Sequence, residues 1–397
     1  MNIKLSKKNM SISPSVTLAI DAKTKKMRAE GIDVISFGVG EPDFQTPDNI
    51  REVAIELIEN GSIGYTAASG LPELKKTICN KLKRDNGLNY EPESIIVSNG
   101  AKHSLFNALQ AICNPGDEVI IPVPYWVSYP ELVKMADAIP VYIECSEKNQ
   151  FKLQKEELLS LITSKTKAII LNSPSNPTGS VYTREELEEL ANIAIKNDII
   201  IISDEIYEKL VYEDASHISI ASLNKDIKER TIVINGVSKG YAMTGWRIGY
   251  AAANREIAKI MGNFQSHSTS NPNTIAQYAS VEALDGSQVP VIKMKKAFDK
   301  RRKYMVTRIN NIAGLSCIIP KGAFYVMMNI TGLIGKEIGG KVLKNSMDLA
   351  EVILEKAKVA VVPGLAFGTD EFVRLSYATS LSNIEKGFDR IEDLLNK

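Results

Sequence analysis

The feature that most constrains the fold is a series of short, unbroken β-branched runs between about positions 90 and 250. Each is followed by a turn and then a helix-like stretch. The runs are Ser94–Val97, Glu118–Ile121, Lys167–Leu171, Ile199–Ile202 and Thr231–Ile234. A strand that is apolar without alternation must be covered on both faces, and strands that alternate with helices pair through crossovers as parallel neighbours. The pattern therefore predicts an α/β fold, a mainly parallel central sheet with helices on both faces. Thr183-Arg-Glu-Glu186 predicts a capped helix running to Lys196, and Ser382-Asn-Ile-Glu385 predicts the start of a last helix with Ile384, Phe388, Ile391 and Leu395 on one face.

A chain of 397 residues exceeds what one simple core accommodates. The strand–helix alternation changes character at Asp285–Pro290, where a long basic stretch, Val291–Asn311, begins. We expect an N-terminal arm with part of a small domain at 1–45, a large domain at 46–288 and a small α/β domain at 289–397, closely packed with a cleft between them.

Composition excludes several classes of function. Lysine and arginine number 48 against 47 acidic residues, so nothing in the net charge of +1 draws the chain to nucleic acid or an acidic membrane. Cys79, Cys113, Cys145 and Cys317 form no C-x-x-C pair, and His103, His217 and His267 lack metal-ligand spacing. No metal site is expected. No apolar run approaches the length of a membrane span, and the N-terminus lacks an apolar export segment, which predicts a cytoplasmic protein acting on small molecules.

In a parallel sheet, ligands sit beyond the carboxyl ends of the strands. Ser98-Asn99-Gly100-Ala101-Lys102 opens a helix and suits a phosphate held by backbone N–H groups, although an Asn-Gly turn also serves purely conformational ends. Pro122-Val-Pro-Tyr-Trp126 aims an aromatic ring at the same edge, either to stack on a planar ligand or to fill core. Asn172-Ser-Pro-Ser-Asn176-Pro-Thr-Gly179 leaves the Asn176 amide at a strand end. Asp204, in Ser203-Asp-Glu-Ile-Tyr207, is a carboxylate at the mouth of an apolar strand, where it requires a cationic partner unless it merely caps a helix. Lys239, in Ser238-Lys-Gly240, is suited to Schiff-base chemistry if its amine is desolvated, and Arg247 follows eight residues later. Each feature alone has a bland alternative. Gathered at one sheet edge, they match a phosphorylated pyridine aldehyde.

In this order, with Gly40-Glu-Pro-Asp43, Tyr65-Thr, Pro124-Tyr-Trp126, Met243-Thr-Gly-Trp-Arg-Ile-Gly-Tyr250 and Phe372-Val-Arg374-Leu-Ser-Tyr377, the chain resembles the class I aminotransferases of the aspartate aminotransferase family, fold type I, prokaryotic-type branch. The resemblance runs from Pro14-Ser-Val-Thr17 almost to the end. It implies pyridoxal 5′-phosphate carried by Lys239, which also moves the substrate proton. Asp204 would face the pyridine nitrogen, Tyr207 and Asn176 the ring oxygen, and Trp126 the ring itself. Gly100, Ala101, Lys102, Ser238 and Arg247 would surround the phosphate. Tyr65 would serve the partner's cofactor in a homodimer with shared active sites. Arg374 would clamp the substrate α-carboxylate beneath the Gly40 backbone, and Lys102 with Ser15 and Thr17 would meet a distal carboxylate. Ala101 stands where many relatives have Ser or Thr, and His103 where Gln is common.

The expected reaction moves an amino group from aspartate or glutamate to 2-oxoglutarate or oxaloacetate, with prephenate as a further acceptor. Transamination of aromatic or other amino acids and β-lyase chemistry are the alternatives on the same cofactor. A silent ligand-binding domain of a regulator is the alternative of another class. The complete Lys, Asp, Tyr, Asn and Arg set and the lack of a helix-turn-helix extension count against it.

Overall fold

The computed structural model describes residues 3–38 and 40–396. At its centre lies a seven-stranded sheet built from β1 (Ile95–Ser98), β2 (Glu118–Val123), β3 (Ile139–Glu144), β4 (Thr166–Asn172), β5 (Ile200–Asp204), β6 (Thr231–Gly236) and β7 (Gly249–Ala252), in the order β1-β7-β6-β5-β4-β2-β3. All neighbouring pairs are parallel except those of β7, which runs against both β1 and β6. The mainly parallel expectation holds.

Two strands have no counterpart among the apolar runs. β3 is a half-exposed edge strand interrupted by Pro140, and β7 is a short Gly-Tyr-Ala-Ala segment without β-branched residues. Because β7 runs the other way, its first residue, Gly249, pairs with the last residues of β1 and β6, Ser98 and Gly236. Asn172 likewise pairs with Asp204 at the ends of β4 and β5. This common edge is the one the sequence marks.

The Arg184–Lys196 helix begins at Thr183 with the expected capping box to Glu186 and buries Leu187, Leu190 and Ala191. The last helix, Leu381–Leu395, starts earlier than Ser382 predicts. Ser380 is its N-cap and accepts the Asn383 N–H at 3.1 Å, so Ser382 falls inside the first turn. Ile384, Phe388 and Ile391 are buried as expected, and Leu395 is half-buried.

The C-terminal part contains an antiparallel sheet of β8 (Tyr325–Asn329), β9 (Val362–Pro363) and β10 (Phe372–Ser376), ordered β9-β10-β8. Its core includes Phe298, Met305 and Ile309 of the Val289–Asn311 helix and Ile384, Phe388 and Ile391 of the last one. The N-terminal segment is bonded into this part, since Ile35–Ser36 pairs in parallel with Val359–Ala360. That core also takes in Tyr207 and Leu210, just beyond β5, so the C-terminal part packs directly on the edge of the large sheet.

Candidate active site

A cavity of about 480 Å³ opens at this edge. Of the residues the sequence singles out, all but Gly100 and Tyr65 line it. Parallel strands bring Asn172 and Asp204 side by side, β6 delivers Ser238 and Lys239 just beyond its end, and β10 brings Arg374 from the other side.

At the phosphate-type end, the Ala101–Ile112 helix starts at Gly100 with no side-chain cap. The first-turn N–H groups of an uncapped helix are ready anion donors. Gly100 has φ +89°, and a side chain there would run into the Arg247 guanidinium; one at Gly249 would run into the Ala101 backbone. Gly100 thus leaves room for Arg247 to lie against the turn, and Gly249 lets β7 approach the turn's backbone. Arg247 is fixed by donating to the carbonyls of Thr244 at 2.8 Å and Asn99 at 3.3 Å. His103 accepts the Asn99 N–H through Nδ1 at 3.1 Å and so closes the same turn. Ala101 costs the site a hydroxyl but not the backbone donor.

In the middle, Asp204 is buried, and its carboxylate accepts from the Tyr129 hydroxyl at 2.7 Å and the Ile206 N–H at 3.2 Å. Among the described residues no cation forms an ion pair with it, and the Lys239 charge in the same cavity offsets its burial least of the contributions. Burial, partly offset by the two hydrogen bonds, pushes its carboxyl up to about 6. The Lys239 amine donates to the Gly40 carbonyl at 2.6 Å. Burial, reinforced by Arg247 and Arg374 and opposed by Glu41 and Asp204, pulls it down to about 8. Trp126 lies edge-to-face on Tyr129, with the Lys102 ammonium 4.9 Å above its ring. Burial, then the Arg247 charge, depresses Lys102 below the ordinary lysine range.

At the far end, Arg374 donates to the Asn176 side-chain oxygen and the Gly38 carbonyl, both at 3.0 Å, and its Nε is buried without a partner. Asn176 is itself held by its N–H to the Asn172 side chain at 2.7 Å, and Asn172 in turn donates to the Asp204 carbonyl at 2.9 Å. Ser15 caps the Val16–Ala29 helix, and its hydroxyl lies 2.9 Å from that of Thr17. Tyr65 is 95 % exposed and contributes nothing to the cavity of its own chain.

Sequence reasoning misses Tyr129, Tyr325 and Glu41, which also line the cavity. Tyr129 lies three residues after Trp126, in the first turn of its own helix, and that spacing could have flagged it. Tyr325 sits 3.1 Å from the Tyr207 hydroxyl and carries no signal in the sequence, because only the β8–β10 pairing places it there.

These features fit pyridoxal 5′-phosphate. Backbone donors and Arg247 suit its phosphate, an unneutralised buried carboxylate suits its pyridine N–H, and a lysine with a depressed pKa suits its aldehyde.

The family model for class I and II aminotransferases matches residues 32–391, and the chain belongs to that family. It is 53% identical over 382 residues to an aspartate aminotransferase of Bacillus sp. (strain YM-2), covering 96% of both chains. An aspartate/prephenate aminotransferase of Nitrosomonas europaea is 45% identical over 99% of this chain and 100% of its own. The crystal structure of the aspartate aminotransferase from Rhizobium meliloti superposes with a TM-score of 0.96 at 43% identity, covering 100% of this chain and 99% of that one. The fold is thus the fold type I architecture expected from the motifs.

Proposed function

We propose that this chain is a pyridoxal-5′-phosphate-dependent aminotransferase that moves the amino group of aspartate or glutamate to 2-oxoglutarate or oxaloacetate, with prephenate as a further acceptor. The observation that carries the reading is a single cavity holding a lysine of depressed pKa, a buried carboxylate without a counter-cation and a buried arginine with a free N–H.

When bound, the cofactor supplies a protonated pyridine ring that absorbs electron density from the substrate Cα. The rest falls to the chain. Ala101, Lys102, Ser238 and Arg247, around the Gly100 turn, hold the phosphate. Asp204 keeps the pyridine nitrogen protonated, and Tyr129 keeps Asp204 in place through its 2.7 Å bond. Tyr207 and Asn176 address the ring oxygen, and Trp126 covers the ring. Lys239 would hold the cofactor through its aldehyde and would be placed to move the proton at the substrate Cα; an amine near 8 is partly neutral at physiological pH, as a base must be. Arg374 takes the α-carboxylate through the N–H groups not given to Asn176 and Gly38, with the Gly40 backbone closing over it.

Lys102, Ser15 and Thr17 meet the distal carboxylate, whose burial without partners would cost several kcal/mol. The Lys102 ammonium stands 4.9 Å over the Trp126 ring on the cavity wall, which supports this role. Full exposure of Tyr65 supports its service to a partner's site, and hence a homodimer. We also propose the division at 1–45, 46–288 and 289–397, the last beginning where the Val289–Asn311 helix begins, and a cytoplasmic setting; among the described residues no helix is long and apolar enough to cross a membrane.

The test is an absorbance scan of purified protein with pyridoxal 5′-phosphate. Wild type should develop a visible band and transaminate aspartate with 2-oxoglutarate. Lys239→Ala should bind cofactor without that covalent signature and without turnover; normal turnover by the variant would refute the assignment. Lys102→Ala should raise KM for aspartate by about 2 kcal/mol in binding terms while leaving phenylalanine nearly unchanged. Equal weakening of both donors would confine Lys102 to the phosphate.

A further inference from the structure

We propose that Tyr325 is a positioning residue for this chemistry: its hydroxyl sets the direction in which Tyr207 donates, and its ring fixes the plane of Arg374. The proposal deepens the reading above and rests on it. Tyr325 is 1 % exposed, and its hydroxyl lies 3.1 Å from that of Tyr207 with the rings edge-to-face. Arg374 is a second neighbour, its guanidinium carbon 4.3 Å above the Tyr325 ring. The sheet makes this possible. Tyr325 is registered opposite Ser376, two residues from Arg374, so the two side chains share one face of the β8–β10 pair.

A hydroxyl has one proton. If Tyr207 gives its proton to Tyr325, none is left for the cofactor ring oxygen; if Tyr325 donates to Tyr207, the Tyr207 proton is free to point into the cavity. The charge of Arg374 over the Tyr325 ring favours the second arrangement, because a cation on the ring face makes the phenol the better donor. The same ring faces the flat guanidinium and holds it between Asn176 and Gly38, with Phe367 4.8 Å away as a further aromatic contact. One side chain therefore orients a donor at the cofactor and a clamp at the substrate.

Spectroscopic pH titration of the holoenzyme tests the first half. A donor to the ring oxygen competes for the electron density that retains the proton on the neighbouring Lys239-linked nitrogen. A hydroxyl that accepts a hydrogen bond is the stronger and better-directed donor. Tyr325→Phe, which leaves Tyr207 its proton but removes the bond donated to it, should therefore move the midpoint of the visible band upward by a fraction of the shift that Tyr207→Phe produces, with cofactor affinity within about threefold. On a Tyr207→Phe background the same change should add no further shift, because the path runs through Tyr207. An unmoved midpoint, or an equal extra shift without Tyr207, overturns the proposal. Tyr325→Leu, which also removes the ring, should raise KM for the amino-acid donor about tenfold beyond Tyr325→Phe; equal KM values overturn the Arg374 half. Absence of any visible band in wild type would instead remove the cofactor reading, and this inference with it.

Discussion

Asp204 and Glu208 are buried carboxylates four residues apart, and their surroundings are opposite. Glu208 pairs with Lys81, itself 1 % exposed, and accepts from Asn86 at 2.9 Å. Burial works against its charge, but Lys81, with His217 and Lys209, outweighs burial and holds it at about 2. Next to it, Glu205 accepts from Ser203 at 2.8 Å, Ser219 at 2.7 Å and His217 at 3.0 Å. Glu205, Glu208 and His217 lie close enough together to suggest a metal centre. Each carboxylate oxygen is already engaged, however, and Lys81 supplies the cation that a metal would bring. Asp204 has only a hydroxyl and one N–H, and its carboxyl is pushed up to about 6. A buried charge whose needs the chain meets is structural; one left short points to a ligand.

The largest effect that can break this comparison is on turnover. Asp204→Ala should lower kcat on the order of 1,000-fold, as expected for loss of one preorganised charge at a reacting centre, while folding normally and retaining coloured cofactor. Asp204→Glu should recover part of the loss. A wild-type rate in the Ala variant would reduce Asp204 to a cap for the turn at Ile206. The converse change is Lys81→Met, which strands Glu208 without its cation. It should cost about 3 to 5 kcal/mol in denaturant unfolding and leave kcat per folded molecule unchanged. If kcat fell and stability held, the Glu208 cluster would belong to the active site.

How much of this was legible follows the same division. The five apolar runs specify the parallel strands because continuous hydrophobicity has few other uses at that length, and they place Ser98, Asn172, Asp204 and Lys239 at one edge. β3 and β7 were not legible: one is a half-exposed edge, the other too short and too small-sided to show a period. Residues that act through motif spacing, such as Lys239 and Arg247, could be named from the sequence. Tyr129 and Tyr325 act through partners 75 and 118 residues away, and no local pattern records such a contact. The Glu205–Glu208–His217 cluster was equally hidden, because its cation, Lys81, comes from a distant helix.

The smallest effect is also the sharpest, because it turns on sign. In the protein without cofactor, Asp204 titrates near 6 against an ordinary value of 3.8, so folding favours its protonated form. Its contribution to stability is complete below about pH 4 and is lost as pH rises through 6. Asp204→Asn, neutral throughout and with Tyr129 free to turn its hydroxyl, should match wild type at pH 4. At pH 7 it should be more stable by on the order of 2 to 3 kcal/mol. Glu208 is depressed to about 2 from 4.5, so its contribution is present above 4.5 and lost only as pH falls through 2. Glu208→Gln should therefore destabilise at pH 7, the reverse sign from an equally small change four residues away. Thermal unfolding of both cofactor-free variants across pH 4 to 8 decides it. Should Asp204→Asn also destabilise at pH 7, the Tyr129 bond outweighs the cost of burying the charge, and Asp204 is better satisfied by its own chain than its surroundings indicate.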